Sequence, residues 1–275
     1  MATNTPVNSN TRLVADRSEH PWLSSTAYLN SLRVRPGLRA PGLLGAYPII
    51  GLLMLLIGLV IFGIMAIDLV TNGPLLAIDQ QVADSVHSTA LQSPPFLRDL
   101  MIFGFYLGEH GIILIGALLL IYFVVKRFWA EASMVVIAWA GEGSLWLYLS
   151  AYFNRPRPAF DAAVWHTMHS PGFPSGHSLS SVMCFGLLAY LIVPTLRNAF
   201  GKAVIIIVAI AIMLYIGYSR IFVGDHYLTD VLGGYRLGIA WSGLVYTAVE
   251  RFARYRRWRT AQHKSGSMAP PAAAG

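Results

Sequence analysis

Six apolar runs, near residues 46–70, 104–125, 130–150, 178–196, 203–219 and 228–249, dominate the 275-residue chain. About 20 helical residues cross the hydrocarbon core of a bilayer, so each run can span with help from its flanking interface residues. Lipid offers the backbone no partner, which leaves the helix as the structure for each run. The chain is 55% hydrophobic and 12% charged, about half the charged fraction of a soluble domain. The expected fold class is therefore all-α: a polytopic membrane protein with six transmembrane helices.

That class changes the meaning of the net charge of +7. The basic residues flank apolar runs, so they read as topology signals and not as a nucleic-acid surface. One side of the membrane collects Arg12, Arg17, Arg33, Arg35, Arg39, Lys126, Arg127, Arg197, Lys202, Arg251, Arg254, Arg256, Arg257, Arg259 and Lys264, which is 15 of the 20. The positive-inside rule makes that side cytoplasmic, with both termini on it, and puts the loops 71–103, 151–177 and 220–227 outside a plasma membrane. Residues 1–45 form a polar head without the apolar core and cleavage site of a signal peptide. Residues 46–250 form the membrane domain, and 251–275 a basic and then disordered tail. The single cysteine, Cys184, lies in an apolar run and reads as a packing residue.

Within the first outer loop, Leu75, Ile78, Val82 and Val86 recur at helical spacing, with Asp79, Gln80, Asp84 and Ser85 between them. This pattern predicts an amphipathic helix, lying on the outer interface or packed on the loops. The expected topology also carries three polar clusters to the outer face: Asn154–Pro158 (NRPRP), Pro174–His177 (PSGH) and Ser219–Asp230 (SRIFVGDHYLTD). Arg157 and Arg220 are planar, permanently charged forks that match phosphate oxygens. Ser175, Gly176 and His177 open a helix, where free N–H groups favour an anion. His226 and Asp230 are four apart and share a helix face. Asp230 can hold Nδ1–H of His226 and leave Nε2 free to attack, while His177 can protonate a departing oxygen. Singly, each feature has an ordinary explanation as a headgroup contact, a structural histidine or a helix cap. Together, on one face, they describe phosphoryl transfer through a phosphohistidine.

The last two clusters resemble motifs of the type 2 phosphatidic acid phosphatase (PAP2) superfamily, integral-membrane lipid phosphatases related to vanadium haloperoxidases. Pro174-Ser175-Gly176-His177 is complete, and so is Ser219-Arg220, five residues, His226, three residues, Asp230. The resemblance covers about residues 46 to 250 and implies a PAP2/haloperoxidase-like helical core. It implies His226 as nucleophile, Asp230 as its orienting partner and His177 as general acid. It also implies that Arg157, Arg220, Ser175 and Gly176 bind phosphate, with no metal or other cofactor. A rival zinc site would use His166, His169 and His177, with Asp161 as the nearest acid.

The family's first motif is Lys-x6-Arg-Pro, and here it departs. Counting from Arg157 the lysine position is Ser150; counting from Arg155 it is Tyr148. Arg157 is the preferred register. One lost charge-assisted contact is worth about 1.5–3 kcal/mol, or about ten- to hundredfold in binding. The loss implies weaker catalysis, a replacement cation or a less charged substrate. His110 beside Glu109 is one candidate cation. Glu142 and Arg236, inside apolar runs, are expected to pair with each other.

The expected function is a metal-independent phosphatase acting on a lipid phosphate or prenyl diphosphate, such as phosphatidic acid or undecaprenyl diphosphate. Its expected partners are that lipid substrate and the bilayer. Two alternatives stand: a phosphotransferase with another acceptor, or a lipid-phosphate-binding protein with weak or no turnover.

Overall fold

The computed structural model describes residues 48–161, 164 and 170–266, and among them there is no strand. The helices are α1 (Pro48–Val70), α2 (Leu75–Gln92), α3 (Pro95–Tyr106), α4 (Ile112–Val125), α5 (Trp129–Phe153), α6 (Gly176–Ile192), α7 (Ala199–Phe222) and α8 (Leu228–Gly266). A π-helical turn, Leu107–Gly111, joins α3 to α4 without a break.

Local chemistry sets the ends that matter for function. α5 stops at Asn154, which takes the left-handed conformation (φ 42°) while its N–H donates to Ser150 O at 2.9 Å. Asparagine tolerates that conformation, and Pro156 and Pro158 cannot rejoin a helix. The segment carrying Arg155 and Arg157 therefore leaves the membrane helix as non-helical chain. α7 begins at Asn198, whose side chain accepts the Gly201 N–H at 2.6 Å.

α8 is the hub, packed on α1, α6 and α5, and it continues as one helix beyond residue 250. Gly234 and Gly238 let α6 lie directly on it. A Cβ on Gly234 would sit 2.4 Å from Ser175 O, and one on Gly238 would sit 3.0 Å from Leu179 O. Small residues four apart give this close approach between membrane helices. Away from these contacts Ile49, Val60 and Ile67 of α1, Ile113 and Ile121 of α4 and Ile207 of α7 stay exposed. An apolar surface of that extent suits lipid and not water.

Five stretches are long and apolar enough to cross a membrane: Ile49–Val70, Pro95–Val125, Trp129–Phe153, Gly176–Thr195 and Ala199–Phe222. The chain is thus a multi-pass membrane protein, but length and apolarity assign five spans and not the expected six. The run at 228–249 is helical, yet its glycines, Tyr235 and Arg236 dilute its hydrophobicity. The second span also starts earlier than expected, at Pro95.

One expectation holds and one is corrected. α2 forms as predicted, but Asp79, Ala83, His87 and Ala90 are its buried residues, while Ile78 is exposed. On the buried face Asp79 meets a buried cation, Arg155. Glu142 and Arg236 do not pair among the described residues. Glu142 Oε1 instead accepts the Ser180 hydroxyl, which α6 brings alongside.

Candidate active site

The turn between α7 and α8 carries the centre of the site. His226 is buried, and its N–H donates to Arg220 O at 3.3 Å, as does that of Asp225 at 3.0 Å. These bonds fold the turn back over the end of α7. His226 Nε2 lies 3.2 Å from Arg157 Nη1. A guanidinium can only donate, so Nε2 accepts and the ring proton sits on Nδ1. Nδ1 in turn faces Asp230 Oδ2 at 3.5 Å. Burial first, then the charges of Arg157 and Arg220, push the His226 imidazole well below the ordinary histidine range, so the ring is neutral. A neutral imidazole with its proton on Nδ1 presents a lone pair at Nε2.

Two arginines frame that lone pair. Arg157 is anchored by Nε to Ser170 O (2.7 Å), Nη2 to Ser170 Oγ (2.9 Å) and Nη1 to Asp225 O (2.9 Å). Arg220 is fully buried; its Nη2 pairs with Asp225 and its guanidinium lies 4.2 Å from the Phe105 ring centroid. Its Nε and Nη1 have no hydrogen-bond partner. Buried donors left unpaired are costly, and an anion in the site would satisfy them.

The start of α6 closes the site. Ser175 N–H donates to Asp230 O at 3.0 Å, which ties α6 to the first turn of α8. Ser175 is buried, and its Oγ accepts the Ser178 hydroxyl at 3.2 Å. Gly176 faces Trp146, whose indole N–H donates to Pro174 O at 3.2 Å; a Cβ there would meet that indole at 3.0 Å. His177 lies beside Phe105, with ring centroids 5.2 Å apart, and its Nε2 is 3.8 Å from Glu109 Oε2.

The structure therefore gathers Arg157, Ser175, Gly176, His177, Arg220, His226 and Asp230, with Glu109 at the edge. His110 is exposed, its ring 5.7 Å from that of Tyr106. Ser150 is buried and donates to Leu147 O of its own helix at 3.2 Å. Arg155 pairs instead with Asp79 and Asp230. His166 and His169 lie outside the described residues. Among the described residues, no group of three acidic, histidine or cysteine side chains is placed to hold a metal.

Sequence reasoning missed Asp225, which bridges the two arginines, and Asp79. Asp225 had a signal, since a carboxylate directly before His226 in a buried turn needs a cation. Asp79 had none beyond its place among the polar residues of an amphipathic helix.

An unpaired buried arginine beside a neutral histidine, at the end of a membrane helix bundle, defines a membrane enzyme that handles phosphate. Residues 131–254 match the PAP2 superfamily, and the chain resembles a membrane phosphatase of that superfamily. Phosphatidylglycerophosphatase B of Bacillus subtilis is 29% identical over 197 residues, 64% of this chain and 93% of that protein. Lipid A 1-phosphatase of Rhizobium johnstonii is 30% identical over 151 residues, 48% of this chain and 56% of that protein. The crystal structure of a transmembrane PAP2-type phosphatidylglycerolphosphate phosphatase from Bacillus subtilis superposes with a TM-score of 0.62 at 29% identity, covering 74% of this chain and all of that one. The family and these relatives make the chain a lipid phosphatase, a hydrolase.

Proposed function

We propose that the chain removes phosphate from a membrane glycerolipid phosphomonoester through a phosphohistidine on His226. His226 Nε2 attacks phosphorus, the P–N bond forms, and the P–O bond to the lipid breaks. His177 gives its proton to the departing oxygen. Water then attacks phosphorus and gives a proton to His177, the P–N bond to His226 breaks, and inorganic phosphate leaves. Arg157, Arg220, Ser175 and the Gly176 backbone hold the phosphate, and Asp230 orients the nucleophile. The observation that carries this reading is Arg220, buried with two unpaired nitrogens beside the neutral ring of His226.

The phosphomonoester class is supported by the named substrate of the Bacillus subtilis relative, which this chain matches over 93% of its length. The absence of the motif lysine supports it too: a diphosphate carries more charge than the two arginines neutralise. The outer face follows from the bias of basic residues toward the other side. Ser150, whose hydroxyl is spent on its own helix, favours a second reading, a lipid-phosphate-binding protein with weak turnover.

The test is phosphate release by detergent-purified protein, in EDTA, from phosphatidylglycerol phosphate, phosphatidate and undecaprenyl diphosphate, with and without an added acceptor alcohol. Release from the first two, lost in His226→Ala, is the expected result. Binding without release would favour the second reading, and a phosphorylated acceptor would make the chain a phosphotransferase.

A further inference from the structure

Asp230 can orient His226 only if its own carboxylate cannot turn. Its Oδ1 accepts Arg155 Nη1 at 2.5 Å, and Oδ2 accepts the Tyr227 N–H at 2.9 Å while facing His226. Arg155 is gripped in turn: Nη2 donates to Asp79 Oδ2 at 2.7 Å, Nη1 to Thr229 Oγ1 at 2.8 Å, and its guanidinium lies 4.4 Å from the Tyr227 ring centroid. Asp79 closes the circuit by accepting the Thr229 N–H at 2.8 Å, and the Thr229 hydroxyl as well. Asp79 is 1% exposed, Arg155 5% and Asp230 0%. Three charges this deep are costly unless they are paired together.

We propose that Asp79 and Arg155 are positioning residues for the nucleophile, so that α2 holds the outermost link of a chain Asp79–Arg155–Asp230–His226. The inference rests on the reading of His226 as nucleophile. Its physical basis is charge as well as geometry. When Nε2 bonds to phosphorus the imidazole gains positive charge, which Asp230 must balance. Facing Asp230 alone, Arg155 would cancel the charge that the ring needs. Asp79 shares the guanidinium and leaves part of the Asp230 charge for His226. Only an arginine fork can bridge two carboxylates in this way. Asp79 also sits at the positive N-terminus of α8, where a carboxylate is favoured, and it thereby tethers the turn that bears the site.

A network that merely glued α2 to α8 would change stability without separating kcat from KM. The full chain is therefore purified in detergent as Asp79→Asn, as the pair Asp79→Asn/Arg155→Gln, and as two controls. The controls are His226→Ala and Gln81→Ala, the latter at an exposed position of α2. Phosphate release is measured on phosphatidylglycerol phosphate, with thermal unfolding of each variant. For Asp79→Asn, kcat is expected to fall about tenfold or more with KM within about twofold, and Gln81→Ala is expected to match wild type. Wild-type kcat in a folded Asp79→Asn protein would overturn the inference, as would a raised KM with unchanged kcat. If Asp79→Asn does not fold, the double variant decides, because it removes one acid and one base together and so keeps the net charge of the buried cluster, with Asp230 still held by the Tyr227 N–H. Lowered kcat at unchanged KM there supports the inference, and wild-type kcat overturns it. Activity surviving in His226→Ala would overturn the underlying mechanism, and this inference with it.

Discussion

His226 and His177 each face a carboxylate, but the two pairs are built differently. His226 and Asp230 are 2% and 0% exposed, and Asp230 is locked by Arg155 and the Tyr227 N–H. His177 and Glu109 are 16% and 38% exposed, 3.8 Å apart, and Glu109 stands on a single π-helical turn. On that turn Glu109 faces His177, and His110 is exposed beside Tyr106. The first pair suits bond formation at phosphorus, where orientation must be fixed. The second suits proton delivery, where a water-accessible carboxylate can restore the proton after each turnover.

The largest expected effect tests the rigid pair. Asp230→Asn should lower kcat by about a thousandfold or more, because the ring loses both its orientation and its counter-charge. The measurement is steady-state phosphate release on folded, detergent-purified protein. A smaller loss than that of Glu109→Gln would break the comparison outright.

Glu109→Gln should cost less, about threefold to tenfold in kcat with KM nearly unchanged, since His177 keeps its place but loses a proton reservoir. In the same assay His110→Ala should stay within about twofold of wild type. A loss in His110→Ala equal to that in Glu109→Gln would show that the turn as a whole matters, and not the aimed carboxylate.

The smallest effect is in pH dependence. The folded-state pKa of His226 is lowered by burial, Arg157 and Arg220, so its contribution to the acid limb of kcat/KM should lie below the ordinary value of about 6.5. The sign for stability follows. Below about pH 6.5 the unfolded chain protonates this histidine and the folded chain does not, so stability falls as pH falls. Melting at pH 7.5 and pH 5, or about those values, should show a larger loss for wild type than for His226→Gln. An equal loss in both would mean that His226 does not contribute to acid destabilisation.

Much of the scaffold was legible because hydrophobicity and run length are local properties. Five of the expected spans are long, apolar helices, four of them close to their expected bounds and the second starting earlier, at Pro95, and α2 forms where Leu75, Ile78, Val82 and Val86 predicted it. The Arg157 register was legible too, and Arg157 is the arginine beside His226. The partners of buried charges were not. Glu142 took Ser180 in place of Arg236, and Asp79 turned inward although its helical position put it among polar residues. The π-turn that carries Glu109 and His110 is announced by no residue type.

By itself the sequence determined that this chain enters a membrane as helices, that its polar clusters meet on one face, and that their chemistry suits phosphoryl transfer. Apolar length, charge bias and residue type carry that information, and each is written in consecutive residues. Only the tertiary structure decided which arginine lies beside His226 and which one grips Asp230. It also decided that Asp79, 76 positions before Arg155, would be its partner. Such choices depend on how closely α2, α6 and α8 pack, and in a low-dielectric interior a buried charge takes whichever partner the packing brings within reach.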